Sequence, residues 1–199
     1  MCKLTVFAAE AFTQCPLTTD HASLLNMFNG VTCDLAAGGL IDDGTAIGMG
    51  LANSISRLKE SKAKSKIIIL LTDGSNNQGE ISPLMAAEIA KLNGIRVYTI
   101  GVGTNGTAPY PVPLPGGGVK YVQMPVEIDT QTLLDIAAQT EGRFYRATSN
   151  RQLAQIYDEI GKLEKTKLTV KQYDKREEAY FKFAFIGLLA LLLEIFMRY

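Results

Sequence analysis

Two short segments carry oxygen-bearing side chains at positions where an α/β protein would hold a ligand. Residues 72–77 read Thr-Asp-Gly-Ser-Asn-Asn and directly follow an apolar run that predicts a buried strand. Residues 42–48 read Asp-Asp-Gly-Thr-Ala-Ile-Gly and form a predicted turn that opens a helix. Ligands of open α/β sheets bind beyond the carboxyl ends of the strands. We therefore expect Thr45 and Asp73 to meet at that edge.

A hydroxyl and a carboxylate suit the binding of a hard divalent cation. Mg²⁺ and Mn²⁺ prefer oxygen ligands and retain positions that water or a partner can fill. A simpler structural interpretation is that Thr45 or a neighbouring aspartate caps the helix, and that Asp73 and Gly74 form a tight turn. Spacing alone favours the simpler interpretation.

Composition excludes several other kinds of chemistry. The 199 residues contain 20 Lys+Arg and 20 Asp+Glu, for a net charge of +0, so no overall basic field attracts nucleic acid. Cys2, Cys15 and Cys33 show no Cys-x-x-Cys spacing and, with the single His21, do not form a soft-ligand metal cage. We interpret them as small buried hydrophobic residues.

Enzyme hypotheses find weaker support than a binding module. A phosphatase of the haloacid dehalogenase type needs two aspartates separated by one residue at the end of its first strand, whereas Asp42 and Asp43 are adjacent. Phosphoester turnover abolished by Asp43→Asn would favour that enzyme. A serine hydrolase would need Gly-x-Ser-x-Gly, which is absent, and His21 is its only candidate base. We predict no catalytic residues and no small-molecule substrate.

Apolar runs that alternate with segments of helical period predict an α/β fold. We expect a Rossmann-like, doubly wound, mainly parallel sheet, because such alternation is typical of βαβ units. The predicted strands are residues 4–8, 67–71, 97–102 and 144–145, and the predicted helices are residues 23–28, 46–60, 83–92, 131–140 and 151–163.

Residues 104–125 depart from this rhythm. They contain prolines at positions 109, 111, 113 and 115, followed by three consecutive glycines. Proline excludes the segment from a central strand, so we predict an excursion that forms a hairpin. A metal-independent scaffold that contacts partners through this loop is an alternative to the cation site.

The C-terminal region predicts membrane attachment. A spanning helix needs roughly 20 apolar residues, and residues 181–199 supply such a helix if Lys182 and Glu194 lie at the two interfaces. We therefore predict a soluble domain over 1–163, a basic juxtamembrane linker over 164–180 and a transmembrane helix over 181–199. A buried core helix or a dimer-forming helix is the alternative. The cations before the helix favour a cytoplasmic soluble domain.

The order of several motifs resembles the von Willebrand factor A (VWA) domain. Residues 43–48 and 71–74 resemble the threonine and aspartate loops of its metal-ion-dependent adhesion site (MIDAS), and residues 97–103 resemble its next strand. Residues 6–20 resemble the Bat aerotolerance proteins of bacteria. The resemblance covers residues 3–163 and implies a non-catalytic module that grips an acidic side chain of a partner protein. It implies direct coordination of the cation by Thr45 and contact through water by Asp73.

Membership in the Bat group would imply further properties. These are a bacterial inner membrane location, sister VWA proteins and a MoxR-type AAA+ ATPase as partners, and a role in oxidative-stress tolerance. Resemblance favours the periplasmic side for the soluble domain.

One departure from the family pattern affects both the sheet and the site. The family's first strand ends in Asp-x-Ser-x-Ser, which is absent here, so we expect an N-terminally truncated domain that lacks a central strand between residues 4–8 and 67–71. Those strands would then lie about 10 Å apart, two hydrogen-bonding steps. With only Thr45 and Asp73 remaining, we expect weak Mg²⁺ or Mn²⁺ binding, or none.

Overall fold

The structure, a computed structural model, describes residues 1–31, 44–103, 106–113, 118–126 and 128–173, together with residues 185, 194–195 and 197–198. Its strands are β1 (Cys2–Phe7), β2 (Ala11–Thr18), β3 (Lys66–Thr72), β4 (Ile95–Val102), β5 (Gly106–Pro113), β6 (Val119–Val126) and β7 (Phe144–Ala147). Its helices are α1 (His21–Asn29), α2 (Ile47–Leu58), α3 (Pro83–Leu92), α4 (Thr130–Gln139) and α5 (Asn150–Tyr173). The chain divides into two compact units, residues 1–161 and 162–199.

The described strands form three separate sheets. Strands β3, β4 and β7 form a parallel sheet in the order β3-β4-β7, while β1 with β2 and β5 with β6 form antiparallel pairs. The predicted α/β class is found, but the prediction of a doubly wound, mainly parallel sheet is wrong, because two of the three described sheets are antiparallel pairs. Strands β1 and β3 do not pair with each other, which agrees with the expected absence of a central strand between them.

Helices cover both faces of the β3-β4-β7 sheet. On one face, α2, α3 and α4 contribute a core cluster that includes Leu51 and Leu133. On the other face, Ile156 and Ile160 of α5 pack against the sheet. Val97 and Tyr98 are adjacent in β4, and because successive side chains point to opposite faces, their 0% and 1% exposure shows that both faces are covered.

The β1-β2 pair is attached to helix α2. Lys3 Nζ donates to the Asn53 carbonyl at 3.0 Å and to Asn53 Oδ1 at 2.9 Å. The Ser54 hydroxyl donates to Thr5 Oγ1 at 3.1 Å. Burial, followed by the nearby Arg57, lowers the pKa of Lys3. These contacts hold the pair through helix α2, without hydrogen bonds from β3.

Some elements of the structure match those predicted from the sequence, and others are additional or longer than predicted. The predicted hairpin is confirmed, because β5 pairs with β6 over 106–126. Ser82 caps α3 through a hydrogen bond from the Met85 N–H. Strand β2 was not predicted, since Pro16 interrupts its short apolar pattern. Helix α5 continues to Tyr173, ten residues beyond the predicted end, because neither glycine nor proline follows Gly161 within it.

The prediction of a transmembrane helix over residues 181–199 is wrong. Within the ranges described above, no helix combines the length and the apolar character that a bilayer crossing requires. Helix α5 is long, but charged residues recur along it. Most of residues 181–199 lie outside the described residues.

Candidate functional site

The structure brings together the two residues that the sequence singled out. Thr45 lies in the loop that leads into α2, Asp73 directly follows β3, and both line the same cleft. A methyl group built on Gly74 would lie 3.1 Å from the Thr45 hydroxyl oxygen. The two loops are therefore in contact, as a shared site requires. Cation binding by Thr45 and Asp73 stays a prediction.

Two asparagines hold the Thr45 loop against the loop that follows β3. Asn77 Oδ1 accepts a hydrogen bond from the Thr45 N–H at 2.7 Å, and Asn76 Oδ1 accepts one from the Ile47 N–H at 2.8 Å. The Asn77 N–H in turn donates to the Thr45 carbonyl at 3.0 Å. The N-cap residue of α2, Ala46, forms no side-chain cap. Asn76 therefore satisfies a helix N–H that would otherwise lack a partner.

Thr45 does not cap helix α2, so this part of the simpler interpretation is wrong, and the neighbouring Asp42 and Asp43 lie outside the described residues. The N-cap residue is Ala46, the first helix N–H, that of Ile47, donates to Asn76, and the Thr45 N–H before the helix donates to Asn77. Within the part of the chain that the structure describes, this hydroxyl forms no hydrogen bond. Sequence reasoning missed the positioning role of the two asparagines. The available signal was a pair of asparagines one residue after Asp73 and Gly74.

A buried threonine shapes the turn that presents Asp73. The Thr72 hydroxyl accepts from the Gly74 N–H and donates to the Gly74 carbonyl, both at 3.3 Å. The tight turn at Asp73 and Gly74 is therefore confirmed. Asp73 is exposed, and its carboxylate forms no hydrogen bond or ion pair with any other described residue. The turn thus leaves this carboxylate available to a ligand.

The cleft that contains the site lies between β1 and β3. It has a volume of about 600 Å³ and is lined by residues 4–8 on one side and 68–73 on the other. We call it the β1–β3 cleft. Leu51 and Ser54 of α2 and Tyr157 of α5 also line it. Thr45 and Asp73 lie where the carboxyl-terminal ends of β1 and β3 approach each other.

The donor set fits a hard cation that is held weakly. Hydroxyl and carboxylate oxygens are ligands that Mg²⁺ and Mn²⁺ accept, and Mg²⁺ commonly retains several waters. In the ranges that the structure covers, no group of three or more His, Cys, Asp or Glu side chains is placed to hold a metal ion. Two oxygen ligands leave most of an octahedral shell to water or to a partner.

Among the described residues, the other candidates from the sequence form no cluster that could hold a metal ion. Asp42, Asp43 and Cys33 lie outside the described residues. Cys15 is buried, as predicted, whereas Cys2 is exposed. His21 is the first residue of α1.

These features define an α/β domain with a ligand site where strand-end loops meet. The von Willebrand factor type A domain family matches residues 2–159, and the chain belongs to this family. Members of the family are generally interaction modules without catalytic activity.

Similar solved structures include Bat-related proteins. BatB from Bacteroides thetaiotaomicron is 30% identical, with a TM-score of 0.63 and coverage of 82% of this chain and 78% of that one. An aerotolerance-related membrane protein from Bacteroides fragilis is 27% identical, with a TM-score of 0.60 and coverage of 78% and 75%. The resemblance to VWA and Bat proteins is therefore confirmed.

A third similar structure is described with a metal. Proximal thread matrix protein 1 from the mussel byssus, with a zinc-occupied MIDAS motif, is 27% identical with a TM-score of 0.58, and the match covers 81% of this chain and 34% of that one. This similar protein thus binds zinc at its MIDAS motif.

The chain spans about half the length of a similar curated protein. An uncharacterised protein of Borreliella burgdorferi is 26% identical over 189 residues, which are 95% of this chain and 54% of that protein.

Proposed function

We propose that this chain is a protein-binding VWA module whose Thr45 hydroxyl and Asp73 carboxylate together hold Mg²⁺ or Mn²⁺ weakly. An acidic side chain of a partner protein completes the coordination. The observation that carries the proposal is that these two oxygen-bearing residues line the same cleft, with the Thr45 hydroxyl beside Gly74. We propose no catalytic role for the site.

Neighbouring residues prepare the site before a ligand arrives. Asn77 fixes the backbone of Thr45 through its amide oxygen. Thr72 fixes the turn that follows it. Because these contacts are made within the domain, less conformational freedom is lost when a partner binds. The cation, when bound, supplies positive charge that attracts the partner's carboxylate.

We further propose that the module works at a bacterial inner membrane, on the periplasmic side. Its proposed partners are sister VWA proteins and a MoxR-type AAA+ ATPase, in a complex linked to oxidative-stress tolerance. Support comes from the similarity to BatB and to an aerotolerance-related membrane protein.

A metal-independent scaffold is a second candidate, supported by the β5-β6 hairpin. Val119 and Tyr121 are 55% and 69% exposed. Val112 and Val122 of the same hairpin are also exposed. An exposed apolar hairpin is typical of a protein contact surface.

Binding measurements with purified proteins separate the two candidates. The immobilised chain is exposed to the sister VWA proteins and the ATPase in Mg²⁺ and in EDTA. We expect EDTA, Thr45→Ala and Asp73→Asn each to reduce binding at least about tenfold, and Asp158→Asn, a matched change of an exposed aspartate on α5, to leave binding unchanged.

Binding that persists in EDTA and in both site variants would overturn the cation site. Loss of binding in Tyr121→Ser, together with indifference to EDTA, would instead support the scaffold.

A further inference from the structure

We propose that the outer edge of strand β6 pairs with the same edge of a second copy of this chain, so that two β5-β6 hairpins join into one four-stranded antiparallel sheet. The inference does not rest on the cation site. It concerns the hairpin of the second candidate function and goes beyond that function, because it assigns the hairpin one specific occupant and one strand register.

The prolines of the two hairpin strands all fall in one class of cross-strand pair. In an antiparallel ladder, pairs that exchange hydrogen bonds alternate with pairs that do not, and proline has no N–H to donate. The pairs that contain a proline are therefore the non-hydrogen-bonded ones, and the backbone groups of their residues point away from the other strand. These pairs are Thr107 with Pro125, Pro109 with Gln123, Pro111 with Tyr121, and Pro113 with Val119.

The two outer edges of the hairpin consequently differ in their hydrogen-bond donors. On β5, the outward-facing positions are 107, 109, 111 and 113, and of these only Thr107 has an N–H. On β6, the outward-facing residues 119, 121 and 123 all have one. Prolines along an edge prevent a further strand from pairing there. The β5 edge is therefore closed to strand addition, whereas the β6 edge is open over residues 119–123.

The open edge is accessible in the described part of the chain. Residues 118–123 are all exposed, and among the described strands β6 pairs with β5 alone. The hairpin is separate from the β3-β4-β7 sheet, so the central strand expected between β1 and β3 would not pair with it. A two-stranded hairpin by itself is marginally stable in water, and additional strands stabilise it.

A second copy fits this edge because the edge is its own complement. Antiparallel pairing about a two-fold axis at Tyr121 sets Val119 opposite Gln123 of the second copy, and sets Tyr121 opposite its own equivalent. Each of these pairs exchanges two hydrogen bonds, which uses every outward N–H and C=O group from 119 to 123. Two-fold interfaces are self-complementary in this way.

The side chains agree with the same register. Lys120 lies opposite Val122 of the second copy, so like charges are not placed opposite each other, and the two Tyr121 rings form an aromatic cross-strand pair. A register that pairs Tyr121 with Val119 of the second copy would set the two Lys120 side chains opposite each other, which is destabilising. Because each copy has one open edge, assembly stops at two copies and does not continue into a fibre.

Sedimentation velocity of the full chain in EDTA tests the inference, from about 1 μM to about 1 mM because an interface of this size is weak. Tyr121→Pro removes the central outward N–H and leaves the hairpin's own hydrogen bonds in place, since Tyr121 lies opposite Pro111. Tyr121→Ala removes the same ring but keeps the N–H. Thr107→Pro is the matched control, because it removes the remaining outward donor of the β5 edge.

We expect a dimer whose dissociation constant rises at least about tenfold more in Tyr121→Pro than in Tyr121→Ala, because two hydrogen bonds at the axis are lost. Thr107→Pro should leave the dissociation constant unchanged. Amide hydrogen exchange should slow at residues 119, 121 and 123 as the concentration of the chain rises. Residues 120 and 122 should change little, because their N–H groups already bond to β5.

Several results would overturn the inference. A monomer at about 1 mM would exclude the dimer, and equal dimerisation of Tyr121→Pro and Tyr121→Ala would exclude backbone pairing at this edge. Equal weakening by Thr107→Pro, or growth beyond two copies, would show that the β5 edge also pairs. The assay contains EDTA and this chain alone, so its outcome is independent of cation-dependent binding and of other proteins that bind the hairpin.

Discussion

Removal of the amides of Asn76 and Asn77 should destabilise the domain and loosen the Thr45 loop. Each side chain supplies one hydrogen bond to the backbone at the start of α2, at 2.8 and 2.7 Å. Loss of such a capping bond costs about 1 kcal/mol. The double variant Asn76→Ala/Asn77→Ala should therefore lose about 2 kcal/mol, which corresponds to a fall in Tm of roughly 4–8 °C for a chain of this size.

Thermal and urea unfolding followed by circular dichroism measure this effect. Asn76→Asp is the matched control, because it keeps an acceptor oxygen and places a negative charge near a helix N-terminus, where the charge is favourable. It should retain most of the stability. A double alanine variant within about 0.5 kcal/mol of the parent, the range of ordinary surface changes, would refute the reasoning. Equal destabilisation by Asn76→Asp and Asn76→Ala would refute it as well.

Three further predictions concern the core, the first helix and the cation. Thr140→Val removes the hydroxyl that accepts from the buried Val97 N–H at 3.1 Å, so chemical denaturation should show a loss of about 1–3 kcal/mol that Thr140→Ser largely avoids. Hydrogen bonds from Ser23, first from its hydroxyl, lower the pKa of Asp20, which caps α1. The ionised Asp20 cap therefore stabilises the fold fully above the unfolded-state pKa of this carboxyl, and this stabilisation is lost as the pH falls through the lower folded-state pKa. The difference in free energy of unfolding between the parent and Asp20→Ala should therefore shrink in unfolding curves below pH 4. Calorimetric titration with Mg²⁺ should show no micromolar affinity, and such affinity would contradict a site limited to Thr45 and Asp73.

Local patterns in the sequence predicted most of the regular elements. Ser82 before Pro83 marks the start of α3, and the structure shows the expected cap. The proline-rich segment was excluded from the central sheet and forms the β5-β6 hairpin. These predictions succeed because the signals act over a few residues.

Contacts between distant segments could not be predicted in the same way. Asn76 caps a helix that begins 29 residues earlier, and propensity does not show which loop supplies a cap across such a distance. Similarly, the apolar run of β3 predicts coverage of both faces, yet Leu71 is 41% exposed because it lines the β1–β3 cleft. Whether an edge is paired depends on the other strands of the sheet.

The central claim is that Thr45 and Asp73 form one cation site, and paramagnetic broadening by Mn²⁺ tests it most directly. Amide signals of the ¹⁵N-labelled chain are followed while Mn²⁺ is added up to millimolar concentration, where weak binding is still detected. We expect selective broadening at Thr45, Asp73 and their immediate neighbours, which is lost in both Thr45→Ala and Asp73→Asn and retained in Asp158→Asn. Broadening that is absent from these amides, or that both site variants leave unchanged, would contradict it.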